Sequence, residues 1–313
     1  LSTESVHITS SIGISIFPRD GDGIDDLLKH ADAAMYQAKA EGRNRYHFFT
    51  KTLSQRLRQQ RSIAARLRES LQKDEFELLY QPQIDVKTGK FTSCEALLRW
   101  RPLGEESAVP PNIFIPIAER SELIADIGRW VLEKTCQQSK KWKQKGIGVR
   151  IDINVSGKEL EKSSFFERLT ACRSHYGLSP EDIGLELTEN VLIKSDNAIL
   201  ENLRAQRDLG VEISIDDFGT GYSSLSYLKQ FPVSHLKIDR SFLKGAPENA
   251  YDSALMEAIV NVGHKLDLKI VVEGVETQSQ SDYCKSLNVE FVQGFLYSRP
   301  ISAEAIEALL EKQ

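Results

Sequence analysis

The chain has 313 residues, of which 41% are hydrophobic and 27% charged, with a net charge of -5 at neutral pH. It is longer than one average domain and about right for a large barrel with an appendage, in a composition typical of globular proteins. The mildly acidic balance gives no electrostatic argument for nucleic-acid binding, which usually needs a basic face, so no nucleic-acid partner is expected and an anionic small substrate would need cations supplied locally.

From the start, HITSSIGISIFPRDG alternates apolar and small residues as a strand does, and DDLLKHADAAMYQAKAEGRN has helical periodicity closed by Gly42. A short strand, RYHFF, follows. One helix and two or three strands are too little to bury an independent core, so an N-terminal portion is expected to be missing. Next, Lys51 to Leu71 has no Gly or Pro and places Leu53, Leu57, Ile63, Leu67 and Leu71 at roughly helical spacing. This predicts a connecting helix, whose arginines read as a solvated face in preference to a phosphate-binding patch.

Beyond the helix, strand and helix alternate. Strand-like segments are EFELLYQPQIDV, FTSCEALLRW, GVRIDINVS, IGLELTEN, VEISIDDFG, HLKIDRSF, KIVVEGVE and FVQGFLYS. From the third onward each is followed by a helical pattern, such as NAILENLRAQRDLG, which implies parallel strands with helical crossovers. Only KTGK separates the first two, which predicts a hairpin and one strand running against the rest. The fold class is therefore α/β: a modified TIM (β/α)8 barrel with one antiparallel strand, preceded by a partial α+β segment. A doubly wound open sheet is the runner-up, without the GxGxxG that its dinucleotide-binding version carries.

Cys94, Cys136, Cys172 and Cys284 lie far apart and fit neither a CxxC metal pattern nor a disulfide framework, so a reducing, cytoplasmic setting is expected. No apolar run approaches the ~18 residues of a spanning helix and no signal-peptide pattern opens the chain. This portion reads as soluble and without membrane contact, though a longer parent protein is free to be anchored.

In such a barrel, reactive groups gather at the C-terminal ends of the strands. Glu95 lies within the second predicted strand and Asn154 ends the third. Glu186 and Glu189 end the fourth, and Asp216 and Asp217 the fifth. Lys237 and Asp239 lie on the sixth, Glu273 and Glu276 end the seventh, and Gln293 ends the eighth. So many carboxylates in one mouth would repel one another unless cations neutralised them. All-oxygen ligands favour hard ions, Mg²⁺ or Mn²⁺, and a paired Asp-Asp suits two of them bridged by one carboxylate. Phosphoester hydrolysis is the chemistry such a centre favours, with Lys237 as a point charge for water or phosphate. The paired aspartates also imply an irregular strand, because consecutive side chains point to opposite faces; at least one belongs on the rim. His264 and the other five histidines show no ligand spacing and read as ordinary surface or core residues.

Glu95-Ala96-Leu97-Leu98-Arg99-Trp100 resembles the signature of the EAL-domain cyclic di-GMP phosphodiesterases. YQP at Tyr80 to Pro82, INVS at Ile153 to Ser156, ELTEN at Glu186 to Asn190, DDFGTGYSS at Asp216 to Ser224, LKID at Leu236 to Asp239, EGVE at Glu273 to Glu276 and Gln293-Gly294 follow in that family's order. The resemblance implies hydrolysis of cyclic di-GMP to linear pGpG with two Mg²⁺ or Mn²⁺ ions. It implies Glu95, Asn154, Glu186 and Asp216 as ligands of one ion, with Asp216 bridging to a second held also by Asp217. Lys237 and Glu273 resemble the residues that hold or deprotonate the attacking water, and the sequence leaves the general base open between them. Gln81, Leu97, Arg99, Glu276 and Gln293 resemble substrate contacts, and Glu189 resembles an anchor for the loop Phe218 to Ser224. A homodimer is the assembly the resemblance implies.

ITSSIGISIFP, ADAAMYQAK and GRNRYHFF resemble the C-terminal tail of a GGDEF, diguanylate cyclase, domain, in which Lys39 and Arg43 match residues that touch nucleotide phosphates. The GGDEF signature itself is absent, so cyclase activity is not expected of this chain. The expected organisation is a GGDEF remnant over 1–49, a linker helix over 50–65 and the EAL domain over 66–313. Two other readings compete: a module that binds cyclic di-GMP without turnover, and a two-metal barrel acting on a different phosphate or carbonyl substrate.

Overall fold

A computed structural model describes residues 8–105, 107–162, 164–194, 196–219, 228 and 230–311, which fall into two compact units divided between residues 69 and 70. In the first unit, strands β1 (Ser11–Ile14) and β2 (Arg45–Phe48) pair in parallel. Parallel neighbours need a crossover, and the helix Ile24–Ala40 provides it. That helix lies so close to β1 that a Cβ on Gly13 would fall 1.9 Å from the Ala31 carbonyl oxygen, which only glycine permits. Ala34, Phe49 and Leu53 are buried together with Leu57 packed on them, joining the start of the helix Lys51–Ser70 to the small sheet.

The second unit is a closed eight-stranded barrel. Its strands are β3 (Phe76–Asp85), β4 (Phe91–Trp100), β5 (Arg150–Val155), β6 (Ile183–Thr188), β7 (Ile213–Phe218), β8 (His235–Ile238), β9 (Lys269–Val272) and β10 (Phe291–Val292), in the order β10-β3-β4-β5-β6-β7-β8-β9. β3 runs antiparallel to both of its neighbours, as the KTGK hairpin predicts, while the other adjacent pairs are parallel.

The period of two along each strand decides what the barrel encloses. Leu185 and Leu187 on β6, and Leu236 and Ile238 on β8, are fully buried, and between them Glu186 and Lys237 point the other way, into the barrel. A purely apolar strand would fill the interior with packing; here it holds ionisable groups instead. Among the described residues no helix is long and apolar enough to cross a membrane.

Candidate active site

The centre of the site is Lys237. Its ammonium is wholly buried, and its Nζ lies 2.5 Å from Glu186 Oε2, 2.8 Å from Glu273 Oε1 and 3.2 Å from both Glu95 Oε2 and Asp216 Oδ1. Strand pairing brings these groups together from separate positions in the sequence. Asn154 on β5 stands opposite Glu186, and Thr188, at the end of β6, stands opposite Asp216. Asn154 donates from Nδ2 to Glu95 Oε1 at 2.6 Å, and Gln293 donates from Nε2 to Glu95 Oε2 at 2.7 Å and to Gln81 Oε1 at 3.2 Å. Thus Gln293, read from the sequence as a substrate contact, joins the carboxylate cluster directly, and Gln81, read the same way, reaches it through Gln293.

The paired aspartates divide as their alternation requires. Asp216 is buried; Asp217 is exposed, with a φ of 54°, and the β7–β8 pairing shifts register between Ile215 and Phe218. The left-handed turn at Asp217 lets both carboxylates serve one mouth. Oxygens of Glu95, Glu186 and Asp216 come within 4.8 Å of one another, and so do those of Asp216, Asp217 and Glu273. Asp216 belongs to both groups.

Electrostatics follow from crowding these acids around one cation. Burial raises the pKa of Glu186 well above the carboxylate range, with Glu95 reinforcing it, and burial raises Glu273 to about 8 against the pull of Lys237. For Glu95, burial is outweighed by Lys237 and by the Gln293 and Asn154 amides, which hold it below its ordinary value. Desolvation, then Asp216 and Asp239, raises Asp217. Burial opposes charge on Lys237, but the surrounding carboxylates keep it an ammonium with a pKa well above its ordinary value. One lysine does not balance five acids. A set of oxygen donors carrying this unbalanced negative charge fits hard divalent cations.

A cavity of about 410 Å³ opens beside the acids, lined by Leu97, Arg99, Asn154, Asp216 and Asp217, and by Pro111 at the start of the helix Pro111–Arg120. Arg99 donates from Nη1 to the Leu98 carbonyl at 3.0 Å, which holds its guanidinium at the cavity wall. Glu276, also read as a substrate contact, is exposed and does not line this cavity; its backbone N–H donates to Gln280 Oε1 at 2.9 Å. Glu189 Oε2 accepts from the Gly219 N–H at 3.0 Å. That contact lies at the start of the loop the sequence assigned to it, whose residues 220–224 are outside the described residues. Lys39 and Arg43 are exposed on the first unit. Sequence reasoning missed Gln83, whose amide reaches Glu186 and Gln293 from beneath. Its position two residues after Gln81, hence on the same strand face, was the available signal.

Residues 64–300 match the EAL domain family, and residues 1–45 match the family described as diguanylate cyclase, GGDEF domain. The chain belongs to the EAL domain family. It is 39% identical over 309 residues to the bifunctional diguanylate cyclase/cyclic di-GMP phosphodiesterase MucR of Pseudomonas aeruginosa, covering 98% of this chain and 45% of that one. It is 36% identical over 302 residues to the cyclic di-GMP phosphodiesterase PdeR of Escherichia coli, covering 96% and 45%. Among solved structures, the PaMucR phosphodiesterase in complex with c-di-GMP superposes with a TM-score of 0.74 at 38% identity, covering 78% of this chain and 99% of the other. The chain thus spans less than half the length of these curated relatives.

Proposed function

We propose that this chain hydrolyses cyclic di-GMP to linear pGpG with two divalent cations, Mg²⁺ or Mn²⁺. The observation that carries the reading is Asp216, shared between two carboxylate groups that flank one buried lysine. Glu95, Asn154, Glu186 and Asp216 would hold one ion, and Asp216 with Asp217 the other. Bound there, the ions would make water acidic near neutral pH and offset the phosphate charge.

The chain's own residues define the rest. Lys237, fixed as an ammonium by four carboxylates, has no lone pair with which to accept a proton, so its role is to hold charge in place. Glu273 has a side chain 19% exposed towards the mouth and an affinity for protons near neutrality, which suits a general base. It takes the proton of the attacking water as the new P–O bond forms and one ester bond of the ring breaks, the departing ribose oxygen taking a proton from solvent, so the cyclic diester opens to a linear one. Arg99 supplies a planar fork for a phosphate, with Leu97, Gln81, Gln293 and Glu276 as the remaining substrate contacts. The catalytic portion is 66–313, with 50–65 as linker helix and 1–49 as the GGDEF remnant.

A chromatographic time course of cyclic di-GMP tests this directly. Product pGpG is expected with Mg²⁺ or Mn²⁺ and is lost in EDTA. Tight binding of cyclic di-GMP with no product in either metal would replace the enzyme by a receptor.

A further inference from the structure

Gln83 is 2% exposed, on the inner face of β3, beneath the carboxylates. Its amide meets three partners. Nε2 donates to Glu186 Oε1 at 3.4 Å and to Gln293 Oε1 at 3.2 Å, while Oε1 accepts from the Ser93 hydroxyl at 2.8 Å. Ser93 and Gln83 face each other across the β3–β4 pair, so this last contact is built into the hairpin register.

Each contact restricts a group above it. Glu186 has Oε2 bonded to Lys237 at 2.5 Å, so a donor on Oε1 pins its carboxylate at both oxygens. For Gln293, occupation of Oε1 fixes which way the amide faces: its NH₂ must then point at Glu95 Oε2 and Gln81 Oε1, as observed. The reversed amide would set its oxygen against the Glu95 carboxylate. Gln83 therefore orients Glu186 directly and Glu95 through Gln293, and the Ser93 hydroxyl orients Gln83.

We propose that Gln83 is a positioning residue for cation binding, presetting two of the carboxylates that hold the first divalent ion. The proposal rests on the two-cation reading of the site given above. A satisfied core amide with no such role would affect stability alone; a positioning amide must affect the affinity for the ion. Partners that orient metal-binding carboxylates typically change affinity by about 10- to 100-fold when removed.

The test is Mn²⁺ binding to the full chain by isothermal titration calorimetry, with urea unfolding alongside. Gln83→Met keeps the length of the side chain and removes its amide; Ser93→Ala keeps the amide and removes the group that orients it. Gln83→Met is expected to raise the Mn²⁺ Kd about tenfold or more, and Ser93→Ala to raise it by a smaller factor. Turnover of both variants should recover towards the parent as Mn²⁺ approaches saturation. A Gln83→Met protein that is less stable yet binds Mn²⁺ like the parent overturns the proposal. Should that variant fail to fold, an unchanged Kd in Ser93→Ala overturns it instead. A parent chain that binds no Mn²⁺ is a different failure: it removes the two-cation reading, and this assignment with it.

Discussion

Asp217 carries its carboxylate on a backbone with a φ of 54°, a conformation that asparagine adopts at least as readily as aspartate. Asp217→Asn therefore keeps the turn, the size of the side chain and its position on the rim while removing one negative charge from the pair it forms with Asp216. If Asp217 holds the second cation, losing that charge removes transition-state stabilisation worth several kcal/mol, and a loss of ~3 kcal/mol is about a hundredfold in rate. The expected outcome is a kcat for cyclic di-GMP lowered at least about a hundredfold with an unchanged urea midpoint. Equal kcat values for parent and variant would remove Asp217 from the reaction. Two acids in succession announced an irregular strand, because alternation forbids a shared face; which of them turns out to the rim depends on the register shift against β8 and was not readable from the sequence.

At the scale of elements, the foot of the barrel is organised by a buried ion pair. Arg150 donates from Nε and Nη2 to the two carboxylate oxygens of Asp152 at 2.6 and 3.1 Å, so one guanidinium holds the carboxylate at both oxygens. Gly184 stands opposite Asp152 in the β5–β6 register, and a Cβ there would fall 2.0 Å from Asp152 Oδ1. Gly184→Ala must therefore displace a carboxylate that its arginine already fixes, and is expected to destabilise the barrel by about 3 kcal/mol, read from urea unfolding. The ion pair joins residues two apart on one strand face and so was within reach of the sequence; that Gly184 stands against it was not, because this depends on the register of β5 against β6. The same holds for Gln83, whose partner Gln293 is 210 positions away and becomes adjacent only when β10 closes against β3. The strand sequence and the reversed strand were legible, because helical crossovers force parallel pairing and a four-residue link forces a hairpin. The acids were legible as polar interruptions at the ends of apolar segments, but their individual roles came from the ordered motifs and not from spacing.

Across the whole molecule, two buried groups at separate places give stability opposite dependences on pH. Burial lowers the pKa of His235, 1% exposed on β8, to about 4, so the unfolded chain binds more protons between pH 4 and the ordinary 6.5, and its contribution to stability grows as pH rises through that window. Glu159, 4% exposed, behaves in reverse. Burial raises its pKa to about 7 from 4.5, even though its Oε2 accepts from the Ser156 N–H at 3.1 Å and the Ser156 hydroxyl at 2.8 Å. The folded chain then binds the extra proton, and stability is lost as pH rises from 4.5 to 7. At about 1.4 kcal/mol per pH unit, each effect amounts to about 3 kcal/mol, and they largely cancel where the windows overlap. Glu159→Gln removes one side of this balance while keeping an oxygen that can accept both Ser156 bonds. The difference in unfolding free energy between variant and parent also cancels the contribution of every other titrating group. Measured by urea unfolding in EDTA, Glu159→Gln should gain about 3 kcal/mol relative to the parent between pH 4.5 and pH 7.5. A difference that stays constant over that range would mean Glu159 is already ionised in the folded chain at acid pH, with its charge balanced where it lies.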